Sequence, residues 1–226
     1  MNKTTLVFLL LFAIALQGLS QVDNTGIYLM DPVGNTVGKT RSVYEDVSGS
    51  PYFHDEWLNA DIKLKTNEMY KGTSIKLNFH TQEVHALTKN NSEIIINSET
   101  INSIELFLKG FRYNFELLKV TNNKVNKFYI GQKFTDGDVG LYKVVKRAII
   151  ESKDYNSAVT VKKIKETVDY FIKYKGNVSE FVKDKDKLKE LLPEKSDKIE
   201  LYFADKKNKI KKEESMILFI DYLNNQ

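Results

Sequence analysis

From about residue 60 apolar and polar side chains alternate in period two over short stretches separated by turn chemistry, the pattern of half-buried strands. Ile62 and Leu64 share one face. Ile75, Leu77 and Phe79 share another, with Lys76 and Asn78 turned away. The punctuation predicts turns at Lys71-Gly72, Asn90-Asn91, Gly110, Asn122-Asn123 and Asp136-Gly137. The last is the strongest hairpin signal, because Asp and Gly both tolerate left-handed backbone angles. Between these turns the strand pattern covers 84–87, 94–96, 104–108, 111–117 and 128–130. The apolar run 141–150 reads as strand or helix. Residues 167–182 read as another hairpin, with Val168, Tyr170, Ile172 and Tyr174 alternating into Lys175-Gly176-Asn177.

After residue 183 the period becomes helical. Leu188, Leu191 and Leu192 make one short apolar face that Pro193 ends. Ser196 or Asp197 offers a cap to a second helix with the stripe Ile199, Tyr202 and Phe203, and Glu213, Glu214 and Ser215 open a third carrying Met216, Phe219, Ile220 and Leu223. Helices this short are unstable alone in water, so they are expected to pack on the sheet or on each other. Strand following strand without intervening helices favours antiparallel meander pairing over a parallel nucleotide-binding sheet. The expected fold is therefore α+β, a mostly antiparallel β-sheet or open barrel followed by short C-terminal helices. Its expected parts are a signal peptide at 1–20, an irregular lead-in at 21–49, a β-rich domain at 50–182 and a helical segment at 183–226 packed on it.

The signal peptide rests on Lys3 as the positive start, the apolar run 6–16, and Gly18 and Ser20 as the small residues of a cleavage site. That apolar run of about 11 residues is shorter than the roughly 20 that cross hydrocarbon. No Cys follows it to carry a lipid anchor, and no later run approaches membrane-spanning length. The expectation is an exported mature chain from Gln21, periplasmic or extracellular, without a transmembrane segment.

Composition removes whole classes of chemistry. The 226 residues are 42% hydrophobic and 28% charged, which is ordinary for a globular chain and not for a disordered one. Cys is absent, which excludes disulfides, thiolate metal sites and cysteine nucleophiles. Loss of residues 1–20 removes Lys3 alone among the charges, leaving 33 cations against 30 acids, too balanced to call for a polyanion such as nucleic acid. The densest basic stretch, 183–212, interleaves eleven Lys with seven acids, as the wet face of packed helices does. The 12 Tyr and 13 Phe suit a pleated, half-buried surface.

Two clusters are candidates for chemistry. His80, Glu83 and His85 place imidazole and carboxylate groups within six residues, the ligand types of a zinc ion. On a strand, however, Glu83 and His85 point one way and His80 the other, which favours surface polar residues over a metal centre. His54, Asp55, Glu56 and Trp57 form the second cluster, an acid–histidine pair beside the only tryptophan. Its simpler reading is a turn set by Pro51 whose aromatics anchor a loop to the core. No glycine-rich phosphate loop, calcium-loop ligand series or nucleophile elbow occurs, and no cofactor is called for.

The order Gly49-Ser50-Pro51-Tyr52-Phe53, then Asp55-Glu56 and Trp57, then strands at 62–64 and 70–79, with a lysine-rich helical end at 206–224, resembles a group of exported, uncharacterised proteins of Bacteroidota. Where those proteins tend to carry Asp-Gly ahead of the tyrosine, this chain has Asn67-Glu68, so the turn there is expected to differ. The resemblance implies export and the sheet-then-helix order, and it implies no activity and no site residue. The functional expectation is a non-catalytic envelope or secreted module, a binding or structural protein whose partner is an envelope protein, a glycan or a lipid. The rival expectation is a periplasmic or secreted hydrolase using acidic and His side chains.

Overall fold

A computed structural model describes residues 44–122, 125–153, 160–206 and 208–225. The signal peptide, most of the lead-in and Asn123 of the expected 122–123 turn lie outside them. The strands are β1 (Val47–Ser48), β2 (Leu58–Leu64), β3 (Met69–Asn78), β4 (Glu83–Leu87), β5 (Glu93–Ile96) and β6 (Ile101–Leu108), then β7 (Phe111–Asn122), β8 (Val125–Lys133), β9 (Val139–Lys153), β10 (Thr160–Tyr174) and β11 (Asn177–Glu180). The helices are α1 (Lys185–Leu191), α2 (Ser196–Ala204) and α3 (Glu213–Asn224). The eleven strands form one open sheet in the order β1-β10-β9-β8-β7-β6-β2-β3-β4-β5, with β11 also on β10. Among the described residues only the two-residue pairing of β1 with β10 is parallel. The fold is α+β, as the two sequence periods imply.

Local chemistry explains where the chain turns. Lys109-Gly110 and Lys175-Gly176 are two-residue hairpin loops with both residues at positive φ, matching the right-handed twist of the strands they join. The expected turn at Lys71-Gly72 is instead a bulge. Strand β3 runs through it, Ala60 pairs with Thr73 and Ile62 with Tyr70, and Gly72, at φ 62, gives its N–H to the Asp61 carboxylate at 2.9 Å. A left-handed glycine serves a bulge as well as a turn, and the chain reverses at Asn67 (φ 70) instead. Asp136-Gly137 sits in a wider connection, 134–138, because the Thr135 hydroxyl and the Asn224 amide bind the backbone of Val139 and Leu141 that a tight hairpin would pair. The 141–150 run is strand, its cross-strand partners lying along β10.

Among the helices, Asp184 caps α1 by accepting from the Lys187 N–H at 3.0 Å. Neither Ser196 nor Asp197 caps α2: a 3-10 turn, Pro193–Lys195, runs directly into it and puts Ser196 in its first turn. Ser215 serves α3 by accepting from the Lys211 and Lys212 N–H groups at 2.9 and 3.0 Å.

Alternation assigns the faces. Ile62, Ile75, Leu77, Val84, Ile104, Leu106, Phe115 and Ile130 point inward into one core. The helices cover the inner face of β9 and β10, where Leu188, Ile199, Phe219, Ile220 and Leu223 pack on Val139, Leu141 and Ile172. A small third cluster, Leu118, Tyr142, Val144 and Phe171, lies on the outer face. Gly131 permits it, since a Cβ there would sit 2.6 Å from Leu118 Cδ1.

The sheet curls until the turn after β3 meets β9. Arg147 N–H donates to the Phe79 carbonyl at 3.0 Å. The β8–β9 ladder stops at the pair Gly131 and Val144, and there the Gln82 side chain replaces the next rung. Its amide donates to the Val145 carbonyl at 2.9 Å and to the Phe79 carbonyl at 2.8 Å, while its oxygen accepts from Ile130 N–H at 2.9 Å. The Arg147 guanidinium then holds the segment before β2 by donating to the carbonyls of Ser50 and Tyr52, and it pairs with Glu166 at 2.8 Å.

Candidate functional site

That clamped segment carries one of the two predicted clusters to the other. Residues 51–53 extend the line of β2 beside the end of β3: Phe53 N–H donates to the Leu77 carbonyl at 2.8 Å, and Tyr52 bridges Asn78. Alternation then sends Phe53 inward, where its ring meets Phe79, Tyr113 and Phe115 at 5.4–5.8 Å edge to face. Tyr52 goes outward and stands 6.0 Å from the His85 ring at 87°. On β3, Lys76 is the cross-strand partner of His85 and faces the same way. Its ammonium lies 5.0 Å from the centre of the Tyr52 ring and 5.1 Å from that of Trp57, two cation–π contacts at one nitrogen.

Two carboxylates complete the cluster. Glu93 Oε1 lies 2.6 Å from His85 Nδ1, and Glu83 Oε2 lies 3.6 Å from Nε2. At that distance Glu93 accepts a hydrogen bond from Nδ1 and so fixes the orientation of the ring. Nε2 is shielded from solvent and has no hydrogen-bond partner, and His85 as a whole is only 8% exposed. Burial, then the charges of Glu93, Tyr44 and Glu83, push the Tyr52 phenol above its usual value.

The structure thus joins Trp57 of one predicted cluster with Glu83 and His85 of the other, on the outer face of β3, β4 and β5. It leaves four predicted residues out. His80 turns away, with Nδ1 2.8 Å from the Arg147 carbonyl oxygen. His54 Nδ1 accepts from Glu56 N–H at 3.2 Å, and Asp55 accepts from the Ser50 hydroxyl, so His54, Asp55 and Glu56 shape their own loop. Among the described residues no three His, Asp or Glu side chains converge as metal ligands would. Tyr52, Lys76 and Glu93 are the members that sequence reasoning missed, since it reads Tyr52 only as an aromatic that anchors its loop. The Asn90-Asn91 turn fixes the β4–β5 register, and with it the nearness of Glu93 to His85; nothing comparable announces Lys76.

A groove of about 540 Å³ opens on the polar face of β2, β3, β6 and β7, lined by Asp61, Lys63, Ser103, Glu105, Glu116 and Lys133 among others. Glu116 accepts from the Lys173 ammonium at 2.8 Å. Burial first, and then this carboxylate, drive the Tyr142 phenol far above its ordinary range. Comparison with protein-family models, curated proteins and solved structures finds no match to this chain.

Proposed function

We propose that the chain is an exported, non-catalytic module of the envelope or the secreted fraction, which binds a glycan on the outer face of β3–β5. One observation carries this reading: Tyr52 and Trp57 stand half-exposed on a rigid sheet face with one ammonium held over both rings and two carboxylates beside them. Sugar rings offer apolar C–H faces that pack on aromatic rings and hydroxyls that take charged hydrogen-bond partners, and this surface offers both. The rings contact the Lys76 ammonium only electrostatically, so its three N–H donors stay available to ligand oxygens. Affinity electrophoresis through gels containing bacterial and plant polysaccharides tests the reading. Retardation by at least one of them, lost in Trp57→Ala, supports it, and unchanged mobility in every gel counts against it.

The His85–Glu93 pair supports the second reading, a hydrolase using acidic and His side chains, because a carboxylate-oriented imidazole is the usual general base. Nε2, the nitrogen that would have to take the proton, is shielded from solvent, which is why binding is preferred. A hydrolytic activity that His85→Ala abolishes would reverse that preference.

A further inference from the structure

The β6–β7 hairpin carries apolar side chains where its neighbours no longer cover them. Along the body of this hairpin one face is apolar and the other polar: Ile104, Leu106 and Phe115 are buried, while Ser103, Glu105 and Asn114 face out. Past Leu106 the rule breaks. Phe107, on the polar face, is 40% exposed; Phe111, on the core face but beyond the end of the core, is 68% exposed; Leu108 beside it is only half-buried. The apex between them is Lys109-Gly110, a tight loop with both φ angles positive, and Arg112 follows. The tip 107–112 is therefore apolar on both faces, crowned by cations and free of carboxylates. Glu105, one step below, is held by Arg112 at 2.9 Å.

We infer that this tip inserts into an anionic lipid surface, with Phe107, Leu108 and Phe111 entering the interface and Lys109 and Arg112 meeting the headgroups. Charge complementarity selects this occupant. An apolar protein groove would accept the phenylalanines but would leave the Lys109 ammonium at its mouth to be desolvated and Arg112, already on Glu105, with no further partner, whereas an anionic bilayer attracts both cations. The twist-matched two-residue loop holds the wedge in one shape, so little conformational freedom is lost on insertion. The inference stands on the hairpin's own residues and does not rest on the glycan reading.

In the full chain the apolar segment 6–16 can itself hold lipid, so the readout must report on the tip. Phe111→Trp in a Trp57→Phe background places the only indole there. On addition of phosphatidylcholine–phosphatidylglycerol vesicles its emission is expected to shift to the blue and to be quenched by bromine-labelled lipid tails. Each of Lys109→Glu and Arg112→Glu should weaken the response about fivefold or more, the scale of one basic residue near an anionic surface. Phe107→Ser in the same reporter chain should weaken the spectral response by about tenfold or more, as expected for one aromatic ring kept in water. No spectral change overturns the inference, leaving a protein groove as the alternative occupant. An equal response to pure phosphatidylcholine vesicles overturns its electrostatic half.

Discussion

Replacing Gln82 by alanine tests how the curled sheet closes. Three hydrogen bonds vanish, to the carbonyls of Phe79 and Val145 and from the N–H of Ile130, where the β8–β9 ladder has no rung of its own. At about 1 kcal/mol net for each bond the loss is about 3 kcal/mol, and more if water cannot reach the orphaned Ile130 N–H. For a chain of this size that lowers Tm by roughly 6–12 °C. The backbone sharpens the test. Gln82 sits at φ 60, a conformation costing an L-residue roughly 1–2 kcal/mol that glycine does not pay. Gln82→Gly should therefore lose the same bonds yet end about 1 kcal/mol more stable than Gln82→Ala. Gln82→Glu should be the worst at neutral pH, since an ionised carboxylate would face two carbonyl oxygens, and should recover as acid protonates it. Urea unfolding followed by far-UV circular dichroism, with Trp57 emission as a second probe, gives each value. A loss under about 0.5 kcal/mol for Gln82→Ala, or a Gly variant less stable than the Ala variant, would refute the side-chain rung.

Gly131→Ala should destabilise by about 1–3 kcal/mol in thermal unfolding, because the new Cβ would sit 2.6 and 2.9 Å from Leu118 side-chain carbons. Arg147→Lys keeps the charge but loses the fork that spans Ser50, Tyr52 and Glu166, so it should expose the 50–57 segment to faster amide exchange or proteolysis while β6 and β7 stay protected. Glu213 joins the start of α3 to the sheet through Lys143 at 2.9 Å and Tyr170 at 2.7 Å. Burial raises its carboxyl, but these two partners outweigh burial and hold it below the ordinary 4.5. Its stabilisation is thus present above that value and is lost as pH falls through the lower folded one, so Glu213→Gln should flatten the acid limb of a stability–pH curve. Burial and the Glu213 partner raise the Tyr170 phenol, which keeps its proton in the folded state, so stability should fall as pH rises past 10 and Tyr170→Phe should remove part of that slope.

The sequence was most legible where one local signal decides the outcome. Period two marks β6 and β7 because one face of each is buried and the other wet, and Leu188 or Phe219 announces a helix because its neighbours repeat at helical spacing. Gly72 misleads, because a left-handed glycine reads the same in a bulge as in a turn. Ser196 misleads too, since a good capping residue after a proline turn is drawn into the helix. The candidate site was half visible. Trp57 and His85 stand out as rare residues, but their meeting depends on a clamp from Arg147, about 95 residues from Tyr52, and on the β3–β4 register. No local pattern encodes such a long-range contact. The exposed β6–β7 tip was visible only as apolar alternation, because sequence cannot show that full burial ends at Leu106.

The most direct test of the glycan face uses Trp57, the only tryptophan, as its own reporter. Its emission should be followed while the chain is titrated with chitin oligosaccharides, β-glucan, peptidoglycan fragments and an acidic polysaccharide in turn. The account expects one of these to give a saturable change in intensity or wavelength, weakened at least tenfold by Lys76→Ala and left unaltered by Phe107→Ser. A flat response to all of them, or a response that Lys76→Ala leaves intact, would contradict it.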